Sequence, residues 1–95
     1  MFKKKPKVDW NLDYEFMKWL NKWFKEYRKN AIKVVDLEFK EYNYLGQTMT
    51  QLQIIDRIIE LTNRLTDDFY AENDNYEMVD EVFDLFRLVY WDMWW

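Results

Sequence analysis

The sequence contains no serine, histidine or cysteine, and it has only one glycine and one proline. The three missing residues carry most nucleophilic, proton-transfer and soft-metal chemistry in proteins. Catalysis would have to use Thr, Lys, Tyr or a carboxylate, and none of these lies in a recognisable activating pattern. One glycine cannot build a phosphate-binding loop. We therefore expect a protein that is not an enzyme and that has no cofactor.

The scarcity of glycine and proline also bears on the fold. Sandwiches and barrels need turns every 8–12 residues or so, and such turns usually contain Gly, Pro, Asn or Asp. The composition therefore favours helices. A chain of 95 residues is sufficient for one domain with one core. We expect a basic N-terminal tail over residues 1–9 and a single helical domain over residues 10–95.

Long apolar runs are missing as well. No stretch approaches the roughly 20 apolar residues of a membrane span. The basic residues 1–7 are followed by acidic and amide residues, not by the apolar core of a signal peptide. We expect a cytoplasmic protein without membrane contact. Abundant Lys, Asn, Tyr and Phe are typical of AT-rich phage or mobile-element genomes, which would place the protein in a host cytoplasm.

Apolar residues recur at spacings of three and four in several segments, as in amphipathic helices. The first segment follows Asn11, the second follows Thr48–Gln51, which fits a capping box, and the third follows Asp74. Their apolar positions include Phe16, Leu20, Phe24 and Tyr27; Leu52, Ile55, Ile58 and Leu65; and Val79, Val82, Phe86 and Val89. These segments predict helices.

Residues 31–45 fit two structures. Their apolar side chains share one face of a helix, but residues 35–40 also alternate as in a half-buried strand. No breaker separates this stretch from the first helix, so we favour an all-α fold, a compact bundle of three or four helices. The alternative is an α+β fold with one β-hairpin within residues 33–54, turning near Gly46.

Aromatic residues are the main excess, with seven Phe, seven Tyr and six Trp. Such side chains dominate cores and protein interfaces. The sequence ends with Trp91, Trp94 and Trp95 close together, which we interpret as aromatic anchors for a partner. We expect Trp91 and Trp94 to be mainly structural and Trp95 to be more exposed.

Charge divides the chain. Basic residues outnumber acidic ones 11 to 7 in residues 1–55, whereas acidic residues outnumber basic ones 11 to 3 in residues 56–95. The acidic half is a candidate partner-binding surface that could imitate a phosphate backbone. It could instead pair with the lysines of the first helix. The candidate residues are Asp67, Asp68, Glu72, Asp74, Glu77, Asp80, Glu81 and Asp84. Their spacing does not match a calcium loop, so we expect no metal site.

The lysines of the first helix, with two neighbouring tryptophans, suggest a second interpretation. Cations beside aromatic rings suit single-stranded nucleic acid, although a sequence pI of about 4.8 is unfavourable for a nucleic-acid-binding protein. The residues concerned are Lys18, Lys22, Lys25, Lys29, Lys33, Trp19 and Trp23.

The composition as a whole favours a small acidic protein that binds another protein. We expect a phage- or mobile-element-borne inhibitor of a host nucleic-acid enzyme or defence complex, acting in part by nucleic-acid mimicry. The alternatives are a nucleic-acid-binding protein that uses the first helix, and a structural subunit of a homo-oligomer.

Overall fold

The computed structural model describes residues 12–68 and 75–94. In chain order its elements are α1 (Leu12–Ala31), β1 (Glu41–Tyr44), β2 (Gln47–Thr50), α2 (Gln51–Asp68), α3 (Asn75–Val89) and a 3₁₀ turn (Tyr90–Asp92). The predicted helical character is confirmed. The purely helical form of the prediction is corrected, because residues 41–50 form the β-hairpin of the alternative α+β fold.

Helix α2 is the centre of the core. Its fully buried side chains cover more than one face of the helix, because α1 packs on one side of it and α3 on another. They are Ile54, Ile55, Ile58, Leu61, Thr62 and Leu65. The buried side chains of α1 are Met17, Leu20, Phe24, Tyr27 and Ala31, and those of α3 are Val82, Leu85 and Val89.

Contacts between the helices define their directions. Asn21 of α1 donates from Nδ2 to the Thr62 hydroxyl at 2.8 Å, and Arg28 forms a salt bridge with Asp56, so α1 and α2 are antiparallel. Arg57 forks onto Glu81 with distances of 2.7 Å and 3.1 Å, which joins α2 to α3.

Two ring pairs show that helices α1 and α3 run in the same direction. Phe16 stacks on Phe83 with ring centroids 5.6 Å apart. Further towards the C-terminal end of both helices, Phe24 meets Phe86 edge to face at 5.7 Å. The parallel arrangement means that residues early in α1 lie beside the middle of α3, and residues late in α1 lie beside the end of α3.

The segment predicted as a second helix, residues 31–45, instead leaves the helical path after Ala31. Residues 32–40 form turns that bury Leu37, and β1 follows. The hairpin pairs Glu41 with Thr50 and turns at Leu45 and Gly46, which have φ values of 51° and 80°. Glycine adopts that conformation without steric cost, so Gly46 serves the turn and not the end of a helix.

The capping box of α2 begins two residues later than the sequence predicted. The Gln53 amide donates to the Thr50 hydroxyl at 3.1 Å, and the Gln53 side chain accepts from the Thr50 amide at 2.9 Å. This is a reciprocal capping box with Thr50 as the cap. Thr48 cannot serve, because its backbone belongs to β2, where it pairs with Asn43.

Candidate functional site

Helices α1 and α3 leave an open groove between them, which we call the aromatic groove. Its volume is about 480 Å³. Trp19 and Trp23 form the α1 side, and Tyr90 and Met93 form the opposite side. The remaining lining residues are Leu20, Phe24, Tyr27 and Phe86 on the floor, and Glu26 and Asn30 along α1.

The large side chains of the aromatic groove are unusually accessible. Trp19 is 53% exposed, Trp23 49% and Tyr90 54%. A chain with this many aromatic residues could bury such rings in its core, yet these lie together on one surface. Contiguous exposed apolar surface of this kind is common at contact sites for other molecules, which makes the groove a candidate site.

Packing beneath the groove holds its rings in place. Trp19 stacks on Phe16 with centroids 5.9 Å apart, and Phe16 itself stacks on Phe83. On the other side, Tyr90 meets Phe86 edge to face at 5.7 Å. These contacts hold Trp19 and Tyr90 in place, and such preorganisation lowers the entropy cost of binding in protein interfaces generally.

A second depression of about 450 Å³ adjoins the groove along α3 and shares Phe86 and Tyr90 with it. Trp91 lines this depression and meets Tyr90 edge to face at 5.0 Å. Trp91 is 82% exposed and Trp94 is 69% exposed. The expectation that these two tryptophans are mainly structural is therefore wrong. Trp95 lies outside the described residues.

The turn that carries these tryptophans is fixed by a polar cluster around Asp92. The Asp92 carboxylate accepts from Lys40 Nζ at 2.8 Å and from the Tyr42 hydroxyl at 2.6 Å. Its backbone carbonyl accepts from the buried Gln51 side chain at 3.0 Å. We call these four residues the Asp92 cluster. It connects the end of α3 to the loop before the hairpin, to β1 and to α2.

Electrostatics favour the charge states that this cluster needs. The Lys40 ammonium, assisted by the Tyr42 hydroxyl, lowers the pKa of the Asp92 carboxyl below its ordinary value. Burial raises the pKa of the Tyr42 hydroxyl, and its hydrogen bond to Asp92 raises that pKa further. At neutral pH the carboxylate is therefore charged and the phenol is a hydrogen-bond donor.

The lysines that the sequence singled out lie beside the aromatic groove. Lys22 Nζ sits 5.5 Å from the centre of the Trp23 ring, and Lys18 Nζ sits 5.5 Å from the centre of the Tyr14 ring. Lys25 and Lys29 continue the same outward face of α1. Lys33 does not, because it follows the end of the helix at Ala31.

These lysines do not pair with the acidic stripe. None of Lys18, Lys22, Lys25 and Lys29 forms a salt bridge with a carboxylate in the described part of the chain. An antiparallel first-and-last helix pair would have placed the two stripes together, but α1 and α3 are parallel and Glu81 pairs with Arg57 of α2 instead.

The candidate acidic surface is only partly free for a partner. Glu81 is held by Arg57, and the Asp84 carboxylate accepts from the Tyr44 hydroxyl at 3.0 Å. Glu77 and Asp80 on α3 and Asp67 on α2 are exposed. Glu72, Asp74 and the side chain of Asp68 lie outside the described residues.

The aromatic groove combines residues that the sequence did not bring together. Trp19 and Trp23 were candidates for stacking on nucleic acid, whereas Phe86 was a candidate apolar position of the last helix. The sequence shows which residues share a face of each helix. It does not show which two helices pack side by side. The parallel packing of α1 and α3 supplies the missing information.

Other kinds of site receive no support from the described residues. Within residues 12–68 and 75–94, no three carboxylates lie together in a way that could hold a metal ion. In the same residues, no helix combines the length and apolar character needed to cross a bilayer. Comparisons with protein families, with curated proteins and with solved structures found no match to the chain.

Proposed function

We propose that this chain is a small, non-enzymatic protein-binding protein and that the aromatic groove is its main contact surface. The observation that supports this most is the exposure of Trp19, Trp23 and Tyr90 around one apolar groove. Trp and Tyr are enriched among the interface residues that contribute most to binding, especially where they line preformed clefts. Trp91 and Trp94 extend the surface beside the groove.

Such a surface would act by binding to a partner and covering part of the partner's surface. The chain has no histidine, serine or cysteine with which to modify a bound protein. We therefore propose that it regulates its partner by blocking or stabilising one conformation. A host nucleic-acid enzyme or defence complex is the target class that small size and overall acidity favour. With Glu81 and Asp84 engaged inside the protein, nucleic-acid mimicry is a secondary contribution.

The proposal is tested by capturing partners from an extract of the encoding organism. We expect the native chain to retain a defined protein and the Trp19→Ala/Trp23→Ala variant to lose it. About half of each ring is in water, and circular dichroism should show that the variant remains folded. The matched control is Phe39→Ala/Leu45→Ala, which removes two exposed apolar side chains that lie outside the groove.

Three results would contradict the proposal. The first is that nothing is retained by the native chain. The second is that the groove variant and the control variant retain the same protein equally well. The third is that analytical ultracentrifugation shows a stable oligomer that only the groove variant dissociates, since the groove would then be a contact between copies of the chain.

A further inference from the structure

We propose that the occupant of the aromatic groove is an acidic amphipathic helix of the partner protein. This inference rests on the proposed function and adds the chemistry of the segment that is bound. Two features carry it: the dimensions and apolar floor of the groove, and the lysines along its α1 side that have no carboxylate partner in the described residues.

The dimensions fit a helix. The α1 side of the groove extends from Trp19 to Asn30, which is about 16 Å at the helical rise. A helix that docks in a groove uses apolar side chains at positions i, i+4 and i+7, and these cover roughly 10 Å. The groove therefore accommodates such a set of anchors with one further turn.

The floor of the groove selects apolar side chains. Leu20 and Phe24 lie beneath the tryptophans and are almost completely buried, and Phe86 closes the α3 side. Side chains that enter between Trp23 and Tyr90 would complete an apolar cluster that is already packed on the core. Binding would then remove from water the apolar side chains of the occupant and the ring surface of the groove that is now exposed.

The charges around the groove select an acidic segment. Lys18, Lys22, Lys25 and Lys29 run along α1 next to the tryptophans. On the α3 side the exposed Arg87 lies with Asp84 in the adjoining depression. Glu26 is the carboxylate that lines the groove among the described residues. Carboxylates on the solvent-facing flanks of a bound helix would meet the lysines, which steers association and fixes orientation.

Single-stranded nucleic acid fits the same charges less well. Bases stack on open aromatic faces, but one face of Trp19 packs on Phe16, and the Lys22 ammonium lies over Trp23. The rings act as walls above an apolar floor and not as platforms.

The inference is tested by selection from a display library of random peptides of about sixteen residues, long enough for four helical turns. The native chain is the bait, and the Trp19→Ala/Trp23→Ala variant removes peptides that bind elsewhere. We expect the enriched peptides to be acidic, with apolar residues at helical spacing, and to become helical on binding. Enrichment of basic or neutral peptides, or of none that depends on the tryptophans, would overturn the inference.

A charge swap then tests the orientation of the contact. For a selected peptide, Lys18→Glu/Lys22→Glu should weaken binding about tenfold, mainly by slowing association, because charges at the rim of an interface act on encounter. Replacing the acidic residues of the peptide with lysine should restore the affinity. The control Arg64→Glu reverses one cation at an exposed position of α2 that does not line the groove, and it should leave the affinity unchanged.

Oligothymidine serves as the competing probe. Tight binding of this single strand that the same two lysine changes abolish would overturn the inference in favour of nucleic acid. The peptide selection and the partner capture together distinguish a failure of the acidic-helix proposal from a failure of the proposed function. Neutral peptides selected through the tryptophans would contradict an acidic occupant and leave protein binding by the groove intact, whereas a chain that captures no partner would contradict both.

Discussion

The Tyr27 hydroxyl of α1 donates a hydrogen bond to the backbone carbonyl of Trp94, 67 residues away, at 3.2 Å. This contact ties the segment after α3 to the floor of the aromatic groove, because Tyr27 itself lines that floor. Together with the Asp92 cluster, it determines where the exposed tryptophans stand. The groove therefore depends on polar contacts at one of its ends as well as on apolar packing beneath it.

Replacing Tyr27 with Phe should lower the free energy of unfolding by about 1 kcal/mol, since the partly buried hydrogen bond to the Trp94 carbonyl is lost. Urea denaturation monitored by circular dichroism would measure the difference. The control is Tyr90→Phe, because the Tyr90 hydroxyl makes no hydrogen bond with a described residue. Equal stability of the two variants would mean that the contact to Trp94 does not hold the segment in place.

The Asp92 carboxylate should make stability depend on pH in acid. Its pKa is lowered in the folded state by Lys40, so its contribution is fully present above the unfolded-state pKa of about 3.9 and is lost as pH falls through the lower folded value. Asp92→Asn should therefore cost about 1–2 kcal/mol at neutral pH and nothing below the folded-state pKa.

Urea denaturation across this pH range would show whether the two curves converge. Asp80→Asn is the matched control, because Asp80 is exposed and pairs with no cation in the described chain. A gap between native protein and Asp92→Asn that persisted at the lowest pH would show that the carboxylate charge is not what stabilises the cluster.

Two nearby threonines should respond differently to alanine. Thr50→Ala removes the cap of α2 and should destabilise the protein by about 1 kcal/mol. Thr48→Ala changes an exposed strand residue whose side chain makes no capping contact and should change stability by less than about 0.5 kcal/mol. Thermal denaturation of both variants would measure the two losses of stability. A larger loss for Thr48→Ala than for Thr50→Ala would support the capping box predicted at Thr48.

Removing the rings of Trp91 and Trp94 should affect binding more than folding. Both side chains are mostly in water, so Trp91→Ala/Trp94→Ala should change the free energy of unfolding by less than about 1 kcal/mol. The backbone acceptor for Tyr27 stays in place. Affinity for the captured partner should fall by about 1–2 kcal/mol, measured by titration calorimetry. A large loss of stability with unchanged affinity would give these rings a structural role.

The helices of this protein were predictable because their apolar residues repeat locally. The hairpin within residues 33–54 could be given only as an alternative to a helix, because its support comes from distant residues. Tyr42 donates to Asp92 and Tyr44 donates to Asp84, partners 50 and 40 positions away. Leu45 at the turn is also a poor signal, since the left-handed conformation it adopts is typical of Gly and Asn.

The aromatic groove was predictable only in its parts. The composition indicated exposed aromatic contacts, and the spacing placed Trp19 and Trp23 on one side of α1. Whether α1 meets α3 in parallel or antiparallel depends on the number of elements between them. Because a hairpin stands in place of a further helix, the first and last helices are parallel and not antiparallel. Glu81 therefore pairs with Arg57 of α2 and not with the lysines of α1.

The distribution of the groove walls along the chain has a consequence for folding order. One wall belongs to α1 and the other to the end of α3, with the hairpin and α2 between them. Contacts between such distant segments carry the largest loop-closure entropy, so we expect them to form after the more local ones. A folding intermediate in which α1 and α2 have already paired would still have no groove. We therefore expect the aromatic groove to form late in folding, so that the proposed binding of a partner would require the complete fold.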